Sequence, residues 1–414
     1  VNAVEFHPSY HALMKTSLEA GLAGRPWRDP TPGALVARLA GAYLITQIDS
    51  AHGCPVTMTF ASVPALRHSP ELAAEWEPRI VAPAYDPRNV PASEKSAVTV
   101  GMAMTEKQGG SDVRANSTKA VAAGDGTFRL TGHKWFCSAP MCDLFLTLAY
   151  DDVGLSCFLV PRWTPDDRPN AMNLQRLKGK LGNHANASSE IEYEQAFAWR
   201  VGEAGRGVRT IIDMVAHTRL DCVNGSAAQM RSAVAHALHH AEHRRAFKRR
   251  LIEHPLMRVV LADLALESEA AIALALRLGR AYEEGRDDPA QAAFARIATA
   301  IGKYYVCKRC PAVVYEALEC HGGNGYVEEH PLARLYRDAP LNSIWEGSGN
   351  VICLDVLRAM VREPETLPAL RAELMAATGH DKRYDAFVAR LEASLRDVAT
   401  LEPRARSVVE DLAL

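Results

Sequence analysis

Residues 336–350 have the sequence Tyr-Arg-Asp-Ala-Pro-Leu-Asn-Ser-Ile-Trp-Glu-Gly-Ser-Gly-Asn. One carboxylate of this segment, Glu346, lies between an aromatic residue and a flexible turn. Gly347 and Gly349 permit positive φ angles and the close approach of a ligand. Asn350 is a suitable N-cap for the apolar helical pattern that follows it. The segment therefore predicts a carboxylate on a loop just before a helix, which is either a general base or a surface residue in a capping turn.

Helical patterns extend on both sides of this loop. Apolar periodicity predicts helices over residues 208–247, 255–285, 289–320 and 350–361. Pro311 predicts a bend in the third of these helices. Four helices joined by short connections are typical of an antiparallel bundle, which we assign to residues 204–362. Residues 363–414 are predicted to begin an additional helical region of mixed charge.

Residues 98–203 show a different pattern, in which short apolar strands alternate with turn residues. The predicted strands cover residues 96–104, 116–121, 127–131, 132–138, 143–150, 155–161 and 188–197. Gly124-Asp125-Gly126 predicts the turn of a hairpin. Because no helices alternate with these strands, the pattern predicts a compact β domain instead of a parallel α/β sheet. Residues 1–97 alternate helix-like runs with Pro and Gly and predict a helical N-terminal region, so the fold class is α+β.

The composition is that of a globular protein, since the 414 residues are 48% hydrophobic and 23% charged. A net charge of −2 excludes a basic surface over the whole molecule, so nucleic-acid binding would require a local patch. Nine dispersed cysteines suit reduced thiols, which predicts a cytoplasmic location. No uncharged apolar run is long enough to cross a bilayer, so we predict no membrane partner.

Two groups of residues have spacings that occur in metal sites. Cys307 and Cys310 form a Cys-x-x-Cys pair in a helical pattern without a second pair, which disfavours zinc or redox use. Four histidines share one helical face: His236, His239, His240 and His243. Because no His-Glu-x-x-His motif or carboxylate accompanies them, we predict a solvated or pairing face and no metal site.

The pattern Arg-Asp-Ala, an aromatic residue and then Glu-Gly-Ser within residues 337–348 resembles the catalytic segment of the acyl-CoA dehydrogenases. Residues 104–112, Met-Thr-Glu-Lys-Gln-Gly-Gly-Ser-Asp, and 345–350 are most similar to the AidB-like branch, the flavoproteins of the DNA-alkylation response. The matches follow the family's order over most of the chain. The resemblance implies a helical N-terminal region that is truncated here, a central β-barrel-like domain and a C-terminal four-helix bundle.

The resemblance also implies a function. It implies an FAD-dependent acyl-CoA dehydrogenase that catalyses α,β-dehydrogenation of an acyl-CoA thioester, with Glu346 as the base and FAD as the hydride acceptor. One alternative is an AidB-like flavoprotein that binds duplex DNA or damaged substrates and has weak dehydrogenase activity. A third possibility is an oxidase on the same scaffold. Family contacts to the FAD of a neighbouring subunit imply a homo-oligomer, either a dimer or a tetramer.

The resemblance assigns cofactor contacts residue by residue. Positions in the β region that match flavin contacts are Met104, Thr105, Gly110, Ser111, Phe136, Cys137 and Ser138. Positions in the helical region that match FAD contacts are Arg244, Phe247, Gly322, Gly323, Ser348 and Asn350. A guanidinium suits the cofactor's pyrophosphate because its planar fork binds phosphate oxygens. Lys248 stands where the family has Gly, directly after Phe247.

Overall fold

The computed structural model describes residues 2–397 and 400–414. The chain divides into two compact units. Unit one consists of the residues up to 34 together with 48–218, and unit two consists of residues 35–47 together with those from 219 onwards. No helix in the described residues is both long enough and apolar enough to cross a membrane.

Helices form the N-terminal region, as predicted. They are α1 (Pro8–Glu19), α2 (Arg25–Arg28), α3 (Ala34–Thr46), α4 (Gly53–Leu66) and α5 (Pro70–Ile80). α3 belongs almost entirely to unit two. Proline occupies the first turn of α1 and of α5, where its missing N–H sacrifices no hydrogen bond. α4 is buried along most of its length, which explains its nearly continuous apolar sequence.

A closed β-sheet forms the centre of unit one. Its strands are β1 (Val100–Ala103), β2 (Lys119–Ala122), β3 (Thr127–Ser138), β4 (Leu144–Tyr150), β5 (Leu155–Pro161), β6 (Met172–Leu177) and β7 (Ser188–Val201). β4, β2, β3, β7 and β5 pair in that order, and β5 pairs again with β4, so the sheet closes on itself. The predicted β-barrel-like domain is confirmed.

Two pairings in this sheet were not expected from the sequence. β1 lies parallel to β4, with Val100 opposite Leu144. The antiparallel hairpin of β2 and β3 returns the chain to the end of the barrel at which β1 began, so β4 runs in the same direction as β1. β6 is an edge strand with largely exposed residues that pairs with β7, and it lacks the apolar alternation that identifies a strand. The predicted hairpin of β2 and β3 is present, with Ala122 opposite Phe128.

The C-terminal part of the chain is helical, as predicted. Its helices are α6 (Gly207–His243), α7 (Pro255–Glu284), α8 (Pro289–Glu319), α9 (Gly323–Tyr326), α10 (Pro331–Asp338), α11 (Gly349–Arg362), α12 (Thr366–Met375), α13 (Lys382–Arg396) and α14 (Ala405–Ala413). The boundary between the units falls within α6. α8 is central in unit two, where it packs against α7, α10, α11, α12 and α14. Small residues such as Gly302 make this close packing possible, since a Cβ there would lie 3.3 Å from Leu274 and Leu278.

α6 is shorter than predicted. It ends at His243, and the following residues form a hairpin of β8 (Arg245–Ala246) and β9 (Arg249–Arg250). Phe247 and Lys248 make the turn with φ angles of 47° and 66°. Two successive positive φ angles are typical of the tightest hairpin turns, which usually contain Asn or Gly. Lys248 therefore adopts the backbone conformation for which glycine is suited.

Candidate active site

Glu346 lies in a short loop of unit two between a 3₁₀ turn, Leu341–Ser343, and α11. The prediction of Asn350 as the N-cap was wrong, because α11 begins at Gly349 and Ser348 occupies the N-cap position with extended backbone angles. Serine is among the residues preferred there. Asn350 is instead an exposed residue in the first turn of the helix. The carboxylate of Glu346 thus precedes a helix N-terminus.

The backbone of Glu346 is left-handed, with a φ of 57°. This conformation costs a residue other than glycine roughly 1–2 kcal/mol. Gly347 follows with a φ of 107°, and a Cβ at this position would lie 2.8 Å from the side chain of Ile352. The ring of Trp345 is held by a hydrogen bond from Nε1 to Asn342 Oδ1 at 2.9 Å. A left-handed backbone such as that of Glu346 persists only where the surrounding contacts impose it.

Three consecutive carbonyl groups of this loop accept hydrogen bonds from two cations. Arg219 Nε donates to the carbonyl of Glu346 at 3.0 Å. Lys303 Nζ donates to the carbonyl of Trp345 at 2.8 Å and also to the carbonyl of Gly347. Hydrogen bonds from charged donors are stronger than those between neutral groups. These bonds therefore stabilise the left-handed conformation of Glu346.

A buried carboxylate orients Arg219 from the other side. Asp355 Oδ2 accepts a hydrogen bond from Arg219 Nη1 at 2.8 Å, and Oδ1 accepts one from Arg296 Nη2 at 3.1 Å. Burial would raise the pKa of Asp355, but the charges of the two arginines lower it below its ordinary value. Asp355 is therefore ionised at neutral pH, and its negative charge balances the positive charges of Arg219 and Arg296 beside the Glu346 loop.

The loop between β1 and β2 of unit one folds around a single carboxylate. Glu106 is fully buried, and its oxygens accept hydrogen bonds from Lys134 Nζ at 2.9 Å and from the N–H and hydroxyl groups of Ser117 and Thr118 at 2.6 to 3.1 Å. Burial would raise the pKa of Glu106, but the charge of Lys134 and these hydrogen bonds hold it far below its usual range. The ionised carboxylate thus orders the loop that contains the first group of predicted flavin contacts.

The two flavin-contact segments predicted in unit one lie side by side. The N–H of Trp135 donates to the carbonyl of Thr105 at 2.8 Å, which joins the loop to the end of β3. A Cβ at Gly110 would lie 2.4 Å from Thr105 Oγ1, so the loop requires glycine at this position. Met104 is half-buried and Ser111 is exposed. The structure therefore groups these predicted contact positions on one side of the barrel.

The last residues of β3 face different surroundings. Phe136 is 47% exposed, and the ammonium group of Lys178 lies 4.7 Å from its ring centroid. Cys137 is fully buried, and burial raises the pKa of its thiol to about 12. Ser138 is half-buried, and its hydroxyl accepts a hydrogen bond from Asn186 Nδ2 at 3.4 Å. A contact from Cys137 to a bound flavin would therefore involve its backbone.

Two buried amide oxygens beside these segments have no hydrogen-bond partner within the described part of the chain. Asn116 donates from Nδ2 to the carbonyl of Met104 at 3.0 Å, but its Oδ1 is unpaired. Asn186, beside Ser138, likewise has an unpaired Oδ1. Buried acceptors are normally satisfied. A bound flavin, which has N–H and O–H donors, fits these residues. Neither asparagine could be singled out from the sequence, because an isolated Asn has no distinguishing pattern.

The predicted FAD contacts of unit two lie at three places. They are Arg244 and Phe247 after α6, Gly322 and Gly323 after α8, and Ser348 and Asn350 at the start of α11. The ring of His240 stacks on that of His321 with centroids 4.5 Å apart, so the end of α6 and the turn after α8 are neighbours. Phe247 is 91% exposed at the tip of its hairpin. Gly322 has a φ of 59°, a conformation suited to glycine.

The histidine face of α6 contains ring contacts. The rings of His239 and His243 lie 4.3 Å apart, and His243 Nδ1 is 2.8 Å from the carbonyl of His239. Across residues 2–397 and 400–414, no group of three or more His, Cys, Asp or Glu side chains is arranged to hold a metal ion. All nine cysteines are free thiols.

Three protein-family profiles match successive parts of the chain. The N-terminal domain of the adaptive response protein AidB matches residues 1–87, the acyl-CoA dehydrogenase middle domain matches 101–196, and the acyl-CoA dehydrogenase C-terminal domain matches 205–361. The chain is 44% identical to AidB of Escherichia coli (strain K12) over 413 residues, which cover 99% of this chain and 76% of that protein. The chain belongs to the acyl-CoA dehydrogenase family.

This acyl-CoA dehydrogenase family member also has a similar relative in an animal. It is 31% identical over 392 residues to acyl-CoA dehydrogenase family member 11 of Caenorhabditis elegans, covering 91% of this chain and 63% of that protein. The crystal structure of C. elegans ACDH-11 in complex with C11-CoA matches with a TM-score of 0.88 at 29% identity, covering 98% of this chain and 74% of that one. The predicted family, its AidB-like branch and the fold class are confirmed.

Neither Arg219 nor Lys303 of this acyl-CoA dehydrogenase family member was predicted from the sequence. Both lie in long helices, where a cation is usually a solvated surface residue. The one available signal was the position of Lys303 within the apolar run from Ile297 to Cys307 of α8. A lone lysine in such a run is either exposed or hydrogen-bonded in the interior.

Proposed function

We propose that this chain acts as an FAD-dependent acyl-CoA dehydrogenase in which Glu346 is the base. The observation that supports this assignment best is the Glu346 loop, whose left-handed backbone is held by Arg219 and Lys303. A base must be held in a defined position to remove a proton efficiently. The relative whose crystal structure contains C11-CoA supports an acyl-CoA as the class of substrate.

In the proposed reaction, the Glu346 carboxylate accepts a proton from the carbon next to the thioester carbonyl. FAD, when bound, supplies the two-electron acceptor for the hydride that leaves the adjacent carbon. The loss of one proton and one hydride converts the acyl thioester into its 2,3-enoyl form. Glu346 then holds the proton until it can be released to solvent.

We assign the flavin ring to unit one. As the family resemblance implies, we assign Arg244, Phe247, Gly322 and Gly323 to the FAD of a neighbouring subunit. The unit-one positions with side chains suited to this contact are Thr105, Ser111, Phe136 and Ser138. Arg244 would bind the pyrophosphate through its guanidinium group. The ring of Phe247 meets His254 edge-on, with centroids 6.2 Å apart, but is otherwise 91% exposed, which leaves it available for a contact with a neighbouring subunit. We therefore propose a homo-oligomer.

The purified protein is expected to be yellow and to contain noncovalent FAD. Gly110→Ala should weaken FAD retention, because its Cβ would collide with Thr105 Oγ1 and displace the loop. Gly179→Ala is the matched control, since a Cβ there meets no atom within 4 Å. The measurement is the visible flavin absorbance per protein after gel filtration, with the released cofactor identified after denaturation. A parent protein that stays colourless after incubation with FAD would refute the cofactor assignment.

The alternative function, binding of duplex DNA, is expected to be weak in this chain. The charged residues of the C-terminal stretch are interleaved, with Arg396, Arg404 and Arg406 among Glu402, Glu410 and Asp411. Arg404 donates to Ser394 Oγ at 2.7 Å and lies 3.7 Å from the carboxylate of Asp397. Arg406 donates to Tyr304 Oη at 3.1 Å. Cations with partners inside the protein neutralise few phosphates.

The test is a fluorescence-anisotropy titration of a labelled duplex over a series of salt concentrations. When Z phosphates are neutralised, the logarithm of the affinity falls with a slope of about −0.9Z against the logarithm of the salt concentration. We expect a shallow slope and loss of binding as salt is raised. Tight binding at physiological salt would contradict this expectation and would favour the DNA-binding alternative.

A further inference from the structure

Lys303 is a buried cation on α8. Its side chain is 1% exposed, and among the described residues no carboxylate forms an ion pair with it. An ammonium group removed from water is strongly unfavourable unless hydrogen bonds replace its hydration. Here the replacement comes from two peptide carbonyls, those of Trp345 and Gly347. The desolvated charge of Lys303 is therefore directed at the Glu346 loop.

The thiols near Lys303 do not neutralise it. Cys222 and Cys307 are the neighbouring groups whose titration its charge affects. Burial raises the pKa of both thiols, and the opposing effect of Lys303 does not reverse that rise. Both sulfurs are thus protonated at neutral pH. The hydrogen bonds that the structure shows for Lys303 Nζ are those to the peptide carbonyls of Trp345 and Gly347.

The two carbonyls bound by Lys303 flank Glu346 on both sides. Lys303 thus fixes the peptide plane before Glu346 and the one after Gly347. Arg219 fixes the plane directly after Glu346 through the carbonyl of that residue. A side chain at a φ of 57° points in a different direction from one at the usual negative φ. Loss of the Lys303 contacts would allow the loop to relax towards negative φ, and the carboxylate would turn away from its present position.

Arg219 and Lys303 differ in how their charges are balanced. Arg219 is paired with Asp355 and keeps that partner whether or not the loop is in place. Lys303 is hydrogen-bonded to the loop carbonyls, so its burial depends on the loop conformation. An ammonium group has three donors, and two of the Lys303 donors are used by the loop carbonyls.

We propose that Lys303 is a positioning residue for Glu346, whose ammonium group holds the loop in the left-handed conformation that presents the carboxylate. The inference rests on the proposed function for its effect on catalysis. Its effect on the loop, however, can be measured without any substrate.

The first test compares Lys303→Met with Lys308→Met, which removes an exposed lysine from the same helix. We expect Lys303→Met to remain folded and to bind FAD. The limiting rate of anaerobic flavin reduction by an acyl-CoA should fall about 10²-fold, because misplacement of a catalytic group by about 1 Å has effects of this size. The half-saturating acyl-CoA concentration should change little, because Lys303 does not contact substrate in this proposal. Lys303→Gln replaces the Met variant if the latter does not fold. A parent-like limiting rate would overturn the proposal.

The second test combines Lys303→Met with Glu346→Gln. If Lys303 acts through Glu346, removing it from a protein that already lacks the base should cause no further loss of rate. A general loss of structure would instead lower the rate of the Glu346→Gln protein by the same factor as in the parent. Multiplicative losses would therefore overturn the positioning role.

The third test is independent of activity. Hydrogen–deuterium exchange of peptides covering residues 340–350 is expected to be faster in Lys303→Met than in the parent or in Lys308→Met, with unchanged exchange in the β-barrel of unit one. Unchanged exchange in residues 340–350 would refute the proposal. If no acyl-CoA reduces the parent flavin but exchange still rises in Lys303→Met, the proposed function fails while the hold of Lys303 on the loop is supported.

Discussion

Glu346→Gln is expected to retain its fold and its FAD while losing most of its reduction by any acyl-CoA that reduces the parent. The amide is nearly isosteric with the carboxylate, so the loop contacts made by Arg219 and Lys303 to backbone carbonyls should remain. An amide cannot accept the substrate proton. Loss of a positioned general base typically lowers the rate by about 10²- to 10⁴-fold. The measurement is the anaerobic rate of flavin bleaching over a panel of acyl-CoA chain lengths.

Glu402→Gln is the control for this experiment, because Glu402 is an exposed carboxylate near the C-terminus of the described chain. Its bleaching rates should match those of the parent. The far-UV circular dichroism and the FAD content should be the same in all three proteins. If Glu346→Gln bleached as fast as the parent, a different residue would have to be the base.

Glu106→Gln is expected to be strongly destabilised. The carboxylate is fully buried and forms an ion pair with Lys134, which is itself fully buried. Replacing it with an amide leaves the lysine charge uncompensated and directs an N–H₂ group at donors of Ser117 or Thr118. Breaking a buried pair by removing one partner costs about 3–5 kcal/mol. Thermal unfolding should show a large fall in Tm, accompanied by loss of FAD from the disordered loop.

The matched control is Glu203→Gln, since Glu203 is an exposed carboxylate of unit one that lies 3.7 Å from Arg206. Exposed pairs of this kind contribute about 0–1 kcal/mol, so Tm should change little. Equal Tm values for the two variants would contradict the role assigned to Glu106.

The contribution of Glu106 should also depend on pH. Its pKa in the folded protein is lower than in the unfolded chain, where Glu titrates at about 4.3. Stability from such a group is fully present above the unfolded pKa and is lost as pH falls towards the folded pKa. The Tm difference between the parent and Glu106→Gln should therefore be constant near neutral pH and should shrink below about pH 4.3.

Local sequence determined much of the architecture. The hairpin of β2 and β3 follows from Gly124-Asp125-Gly126, since turn chemistry acts over a few residues. The starts of α7 and α8 follow from Pro255 and Pro289, because proline is favoured in the first turn of a helix. The end of α6 was predicted less well. Its periodic pattern continues to Phe247, but Phe247 and Lys248 adopt left-handed conformations that their types do not indicate.

The sequence alone predicted the family, the order of helical, β and helical regions, and a lone carboxylate on a loop before a helix. These features depend on periodicity, turn residues and motifs that lie close together in the chain. Only the tertiary structure decided which groups hold that carboxylate's loop, because Arg219 and Lys303 lie 127 and 42 residues from their carbonyl partners. The parallel pairing of β1 with β4 was decided in the same way. The sequence around a cation in a helix does not indicate its bonding partners, and only packing determines which acceptors replace its water.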